Sequence, residues 1–152
     1  MVEITTNATL KLNNLFSYRG MIQKDDIEML ACELREKIHS LGAIEIGEPI
    51  VATYFTDENS AEVEMLFPVD KQISSGPNMQ YKEKIEIVNA VKLSYKGNFT
   101  GLDNACEKLN DYISENKLQP ITASYSISKT YDKIADKVET EIYIGINPNK
   151  IK

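Results

Sequence analysis

Glu139-Thr-Glu-Ile-Tyr-Ile-Gly-Ile146 alternates polar and apolar side chains along its whole length, the period of a strand with one face against a core. Thr140, Ile142, Ile144 and Ile146 share one face, and Glu139, Glu141, Tyr143 and Gly145 share the other. A carboxylate and a phenol therefore stand side by side, away from the apolar face. Glu62-Val-Glu-Met-Leu-Phe-Pro-Val69, 77 positions earlier, runs in the same pattern and sets Glu64 against Glu141, Leu66 against Tyr143 and Phe67 against Ile144. Two such strands at one offset read as an internal duplication.

The segments around these strands repeat in the same order. Thr9 to Tyr18 reads as a strand with a turn at Arg19-Gly20. From Lys24, the positions Ile27, Leu30, Ala31, Leu34, Ile38 and Leu41 follow helical spacing, with Asp25 and Asp26 suiting its start and Gly42 its stop. Pro49 to Phe55 is a strand, Thr56 to Ser60 a turn and Ala61 to Val69 the strand above. Residues 70–86 then form a connection, with the next strand beginning in its charged end.

Ile87 to Tyr95 opens the second copy, and its Ser94-Tyr-Lys-Gly97 matches Ser17-Tyr-Arg-Gly20 at an offset of 77. Thr100 with Asp103 suggests a capping box, and Leu102, Ala105, Cys106, Leu109 and Ile113 form an apolar helix face 75 positions after that of the first helix. Pro120-Ile-Thr-Ala-Ser-Tyr125 matches Pro49-Ile-Val-Ala-Thr-Tyr54 at an offset of 71. Lys129 to Lys137 reads as a charged hairpin. The expected fold is α+β: duplicated β-α-β-β units in one domain over residues 1–152, with repeats at about 9–69 and 87–147. Each antiparallel sheet is covered by one helix, leaving a cleft between the repeats.

Composition narrows the function classes. The 152-residue chain is 42% hydrophobic and 26% charged, which fits a globular domain rather than disorder. A net charge of −6 and a pI near 4.9 disfavour nucleic acid and anionic membranes as partners. The chain start lacks a basic region followed by an apolar run, and no stretch approaches ~20 apolar residues, so a cytoplasmic location is expected. Two cysteines, Cys32 and Cys106, fall in helical patterns without CxxC spacing and read as buried or partly buried thiols. With one histidine in the chain, neither metal nor cofactor is expected. That histidine, His39, sits near the end of the first helix and has no evident catalytic partner.

If the faces turned away from the helices meet, Glu141, Tyr143, Glu64 and Leu66 line a cleft with aromatic walls and an acidic floor. A carboxylate there loses hydration until a cation arrives, and ring faces add ~0.5 to 2 kcal/mol of cation–π attraction. In an ordinary two-layer domain the same Glu and Tyr are simply solvated. Eight tyrosines and no tryptophan fit the first case. Tyr18, Tyr95, Tyr54 and Tyr125 are candidates for the walls or for the core, and Tyr18, Tyr95 and Tyr125 join the expected ligand site.

Tyr95-Lys-Gly-Asn-Phe-Thr-Gly-Leu-Asp-Asn-Ala-Cys-Glu-Lys-Leu-Asn-Asp-Tyr-Ile-Ser-Glu-Asn-Lys-Leu118, followed by Thr140-Glu-Ile-Tyr-Ile144, resembles the GyrI-like small-molecule-binding family, also met as the effector-binding domain of bacterial transcription activators. The resemblance is clearest over residues 88–147. It implies a duplicated β-α-β-β fold, a cleft for hydrophobic or cationic small molecules, and an acidic residue of functional weight at Glu141. The chain departs from the family pattern at Gly145, where proline is usual, while Pro68 holds the corresponding place in the first half. It leaves no room for a helix-turn-helix domain and reads as a stand-alone member. The leading expectation is non-enzymatic capture of a small lipophilic or cationic molecule. The alternatives are a regulatory protein–protein module acting through the acidic surface, or a small hydrolase using Glu141.

Overall fold

The computed structural model describes residues 2–73, 76–132 and 134–147, with backbone alone at 130 and 131. Ser74 and Ser75 of the connection, and the side chain of Tyr131, lie outside the described residues. The elements are β1 (Val2–Gln23), a short 3-10 turn (Lys24–Asp26), α1 (Ile27–Ser40), β2 (Ile50–Thr56), β3 (Ser60–Pro68), β4 (Met79–Gly97), α2 (Phe99–Glu115), β5 (Pro120–Asp132) and β6 (Lys137–Ile146). The β-α-β-β order occurs twice, in an α+β chain of antiparallel strands. Two compact units divide it: Lys11–Ile85, here the N unit, and Met1–Leu10 with Glu86–Lys152, here the C unit.

In the N unit the strands lie in the order β1-β3-β2. Phe16 from β1, Met65 and Phe67 from β3, and Leu34 and Ile38 from α1 form its core with Val69 and Ala43. Each large side chain so buried is worth roughly 1.5–3 kcal/mol before conformational entropy is charged. Gly42, at φ 87°, ends the helical segment in the left-handed conformation that glycine adopts without strain.

The C unit repeats the plan with β4-β6-β5. Val91 and Leu93 from β4, Ile142, Ile144 and Ile146 from β6, and Ala105, Leu109 and Ile113 from α2 make the core, and Val2 and Ile4 pack against it. The side chain of Asn98, not Thr100, caps α2, accepting a hydrogen bond from the Gly101 N–H at 2.8 Å. Tyr95 locks this corner: its hydroxyl donates to the Asn98 carbonyl at 2.7 Å. A Cβ added at Gly97 or Gly101 would lie 2.6 or 2.2 Å from that hydroxyl.

Several boundaries differ from the sequence expectation. β1 passes straight through Arg19-Gly20, because its pairing with β3 continues unbroken from Leu15–Pro68 to Gln23–Ser60. Asn13 and Asn14 lie within this strand, Asn14 at φ 56°, a conformation asparagine tolerates better than most residues. β4 begins at Met79, three residues before the charged run 82–86 in which the sequence places its start. β5 likewise extends to Asp132, through the first part of the expected hairpin. Cys106 is half-buried as expected, whereas Cys32 is exposed on α1.

Strand register also corrects two of the offsets. With Glu64 set against Glu141, offset 77, the partners of Glu64 are Arg19 and Ala52, and those of Glu141 are Ser94 and Ile127. Since 94 − 19 and 127 − 52 are both 75, the helix offset of 75 also fits β1 against β4 and β2 against β5. The Ser-Tyr-basic-Gly match at 77 and the Pro-Ile-x-Ala-x-Tyr match at 71 are therefore not register matches. The change from 75 to 77 falls in the β2–β3 and β5–β6 turns, where two residues separate Asp57 from Ser60 and four separate Asp132 from Lys137.

Candidate functional site

Because Met65 and Phe67 face α1, alternation turns Glu64 and Leu66 to the opposite face of β3. Glu64 is 1% exposed there. A carboxylate out of water needs countercharge and donors, and three side chains supply them. Lys82 Nζ lies 2.6 Å from Glu64 Oε2, the Ser17 hydroxyl donates to the same oxygen, and the Tyr54 hydroxyl donates to Oε1 at 2.9 Å. Burial pushes the Glu64 carboxyl up, but Lys82, Ser17 and Tyr54 together outweigh it and hold it below its ordinary value.

Tyr54 reaches Glu64 because the β2–β3 register slips between Thr53 and Phe55, leaving Tyr54 as the extra residue of a bulge. Its ring carries the Arg19 guanidinium at 3.8 Å from the centroid. The same Arg19 is tied to Glu62 by hydrogen bond and ion pair at 2.9 and 2.8 Å. Beside this cluster, a hollow of about 500 Å³ is lined by Ser17, Arg19, Met21, Glu62 and Met79, among others. Its volume falls within the ~300–1,000 Å³ usual for small-molecule sites.

In the C unit Glu141 holds the corresponding place with a different set of partners. Lys92 Nζ lies 2.8 Å from Oε2 and Lys129 Nζ 3.7 Å from Oε1. The Glu141 side chain is 23% exposed, so its pairs are wetter than that of Glu64. Burial again pushes the carboxyl up, and Lys92 and Lys129 bring it net below its ordinary value. Lys92 also stands 5.6 Å from the centroid of Tyr143. Tyr143, 8% exposed, pairs across the sheet with Tyr125, 9% exposed.

Each unit holds its own share of the sequence-expected site residues. Glu64 and Leu66 share a face of β3 in the N unit, and Leu66 is fully buried. Glu141, Tyr143 and Tyr125 come together in the C unit. Tyr18 and Tyr95 are not brought to the carboxylates: Tyr18 packs on the α1 core and Tyr95 on the α2 core. Sequence reasoning missed Ser17, Arg19 and Lys82, and also Lys92 and Lys129. An unbroken β1 carries a signal for two of them, since Ser17 and Arg19 then alternate with Phe16 and Tyr18 and share the face of Glu64.

Charge can be held here more readily than protons can be moved. A carboxylate drawn below its ordinary value is a weak base at neutral pH, and each oxygen of Glu64 already has partners. His39 is exposed near the C-terminal end of α1. Among the described residues, no cluster of three or more His, Cys, Asp or Glu side chains is placed to hold a metal ion, and no helix is long and apolar enough to cross a membrane.

No protein-family model matches the chain, and no curated protein matches it in sequence. Solved structures do match. The C-terminal domain of EcmrR superimposes with a TM-score of 0.77 at 15% identity, covering 99% of this chain and 98% of that domain. The longer EcmrR chain in an EcmrR–DNA complex gives the same TM-score at 16% identity, with this chain spanning 58% of its length. SAV2435 bound to tetraphenylphosphonium matches at 0.54 with 13% identity, covering 97% of this chain and 94% of that one. A hydrolase from Listeria innocua matches at 0.60 with 10% identity, covering 96% and 91%. The chain has the α+β fold of the EcmrR C-terminal domain, the duplicated β-α-β-β arrangement that the GyrI-like resemblance implies.

Proposed function

We propose that the chain is a non-enzymatic receptor for a small lipophilic cation, a GyrI-like domain built from two repeats at about 9–69 and 87–147. The ligand-facing residues are Glu64, Leu66 and Tyr54 in the N unit and Glu141, Tyr143 and Tyr125 in the C unit. The observation that carries this reading is Glu64: a carboxylate 1% exposed, bonded to Tyr54 on the face its helix does not use, with its partner Ser17 lining the neighbouring hollow. A buried anion seldom repays its desolvation as a source of stability, whereas it selects strongly for a cation that can replace lost water. That a structure of the same fold is bound to tetraphenylphosphonium supports a lipophilic cation over a neutral or anionic ligand.

Thermal unfolding with tetraphenylphosphonium as probe tests the reading. The melting temperature of the wild-type chain rises with probe concentration, as mass action requires of a ligand that binds the native state. Glu64→Gln and Glu141→Gln fold, and each removes the shift contributed by its own unit. If the double variant shifts as much as wild type, neither carboxylate binds the cation.

A further inference from the structure

Glu64 and Tyr54 are already occupied by cations of the chain itself. The Lys82 ammonium sits 2.6 Å from the carboxylate, and the Arg19 guanidinium covers the Tyr54 ring at 3.8 Å. A ligand cation therefore meets no vacant negative site. Glu64 and Lys82 together carry no net charge, so adding a second cation beside the pair gains little attraction, while exchanging one cation for another leaves the buried charge balance unchanged. The two partners differ in access: Glu64 is 1% exposed and Lys82 28%. The carboxylate is fixed on β3, in the interior of its sheet, whereas the lysine head rests near the surface on a flexible stem. Such a head recovers hydration by swinging outward.

From this geometry we infer that Lys82 is the resident counter-cation of the Glu64 site, and that a ligand enters by displacing its ammonium from the carboxylate. The inference rests on the receptor reading above and adds to it the residue that sets the affinity threshold. It also gives the site a selection rule. An inorganic monovalent cation or a small hydrated amine offers Glu64 nothing that Lys82 does not. A cation whose apolar bulk fills the adjoining hollow has burial of its own to set against the exchange. The C unit contains an internal contrast, because Glu141 is held by two lysines, Lys92 and Lys129. One displacement there leaves a resident in place.

Two measurements with tetraphenylphosphonium test the exchange. In Lys82→Met the competing ammonium is gone while Ser17 and Tyr54 still donate to Glu64, so the probe binds at least about tenfold tighter than to wild type. In the wild-type chain, acetylation by a water-soluble amine reagent, followed residue by residue by mass spectrometry, accelerates several-fold at Lys82 on saturation with probe. Lysines outside both sites, such as Lys37, keep their rates. The acetylation experiment stands even if Lys82→Met fails to fold. Unchanged or slower acetylation of Lys82 in the probe-bound protein overturns the inference, as does probe affinity in a folded Lys82→Met equal to or below wild type. Where binding still depends on Glu64, those outcomes leave the receptor reading intact; absence of any Glu64-dependent binding removes both.

Discussion

Tyr54 and Lys129 occupy the same register position of their units: each is the extra residue of a bulge, between Thr53 and Phe55 in β2 and between Ser128 and Thr130 in β5. Each also meets the central carboxylate of its own unit, Tyr54 by a hydrogen bond to Glu64 and Lys129 by an ion pair with Glu141. Ser17 and Lys92 are a second such pair, both on the neighbouring strand and both contacting that carboxylate. Where the N unit places hydroxyls, the C unit places ammoniums. One backbone device thus serves a buried carboxylate with one lysine and a wetter carboxylate with two.

Replacing Tyr54 by Phe keeps the ring under Arg19 and removes one donor to Glu64. Native stability falls by about 1.5 kcal/mol, the lower end for bonds to a charged group, because Tyr54 is partly exposed. Tyr54→Leu removes the ring as well and costs more. Urea unfolding of the two variants at neutral pH measures the difference, and equal losses would remove the ring contact from the account.

The Glu64 carboxyl titrates below its ordinary value in the native state. Its contribution to stability is therefore fully present above the unfolded-state value and is lost as pH falls through the folded-state value. Lys92 behaves in the opposite sense: bonding to Glu141 raises it above its ordinary 10.5. Its contribution is present below the unfolded lysine value and is lost as pH rises through the folded one. Urea midpoints collected across the pH range should show a shallower acid limb for Glu64→Gln and a shallower alkaline limb for Lys92→Met.

Thr140 is 4% exposed on the α2 side of β6, and among the described residues its Oγ1 finds no hydrogen-bond partner. Valine has nearly the same shape without the orphaned hydroxyl. Thr140→Val should raise stability by about 1 kcal/mol, read as a higher melting temperature.

Gly145 departs from the proline usual in the GyrI-like pattern, and its surroundings give a reason. Its N–H donates to the Thr122 hydroxyl at 2.8 Å, a bond proline cannot make. A Cβ there would lie 2.6 Å from the Thr122 methyl and 3.0 Å from Ile87. Gly145→Ala should destabilise the chain, and Gly145→Pro more so, with Thr122→Ser relieving part of the alanine clash in a double-mutant cycle.

Periodicity was enough to recover both helices and the β3 and β6 strands, because each has one face on a core and its apolar spacing is strict. The full length of β1 was hidden by Arg19-Gly20, whose turn signal is overridden by the pairing with β3, and the charged run 82–86 marks the start of β4 three residues late. The carboxylates were legible, since alternation alone puts Glu64 and Glu141 opposite the core face. Their partners were not. Tyr54 and Lys129 depend on bulges, which composition does not announce, and Lys82 is brought in by a strand whose start the sequence conceals. Tyr95 shows the reverse case: its motif is conspicuous because Gly97 and Gly101 must clear its hydroxyl, so the signal concerns the start of α2 rather than a ligand.

Titration calorimetry of tetraphenylphosphonium into the wild-type chain and into Glu64→Gln is the most direct test of a cation site at the buried carboxylate. Saturable binding to wild type, weakened at least about tenfold in a Glu64→Gln variant that still unfolds cooperatively, is the predicted result. Equal affinity in the two proteins, or no binding to either, would contradict it.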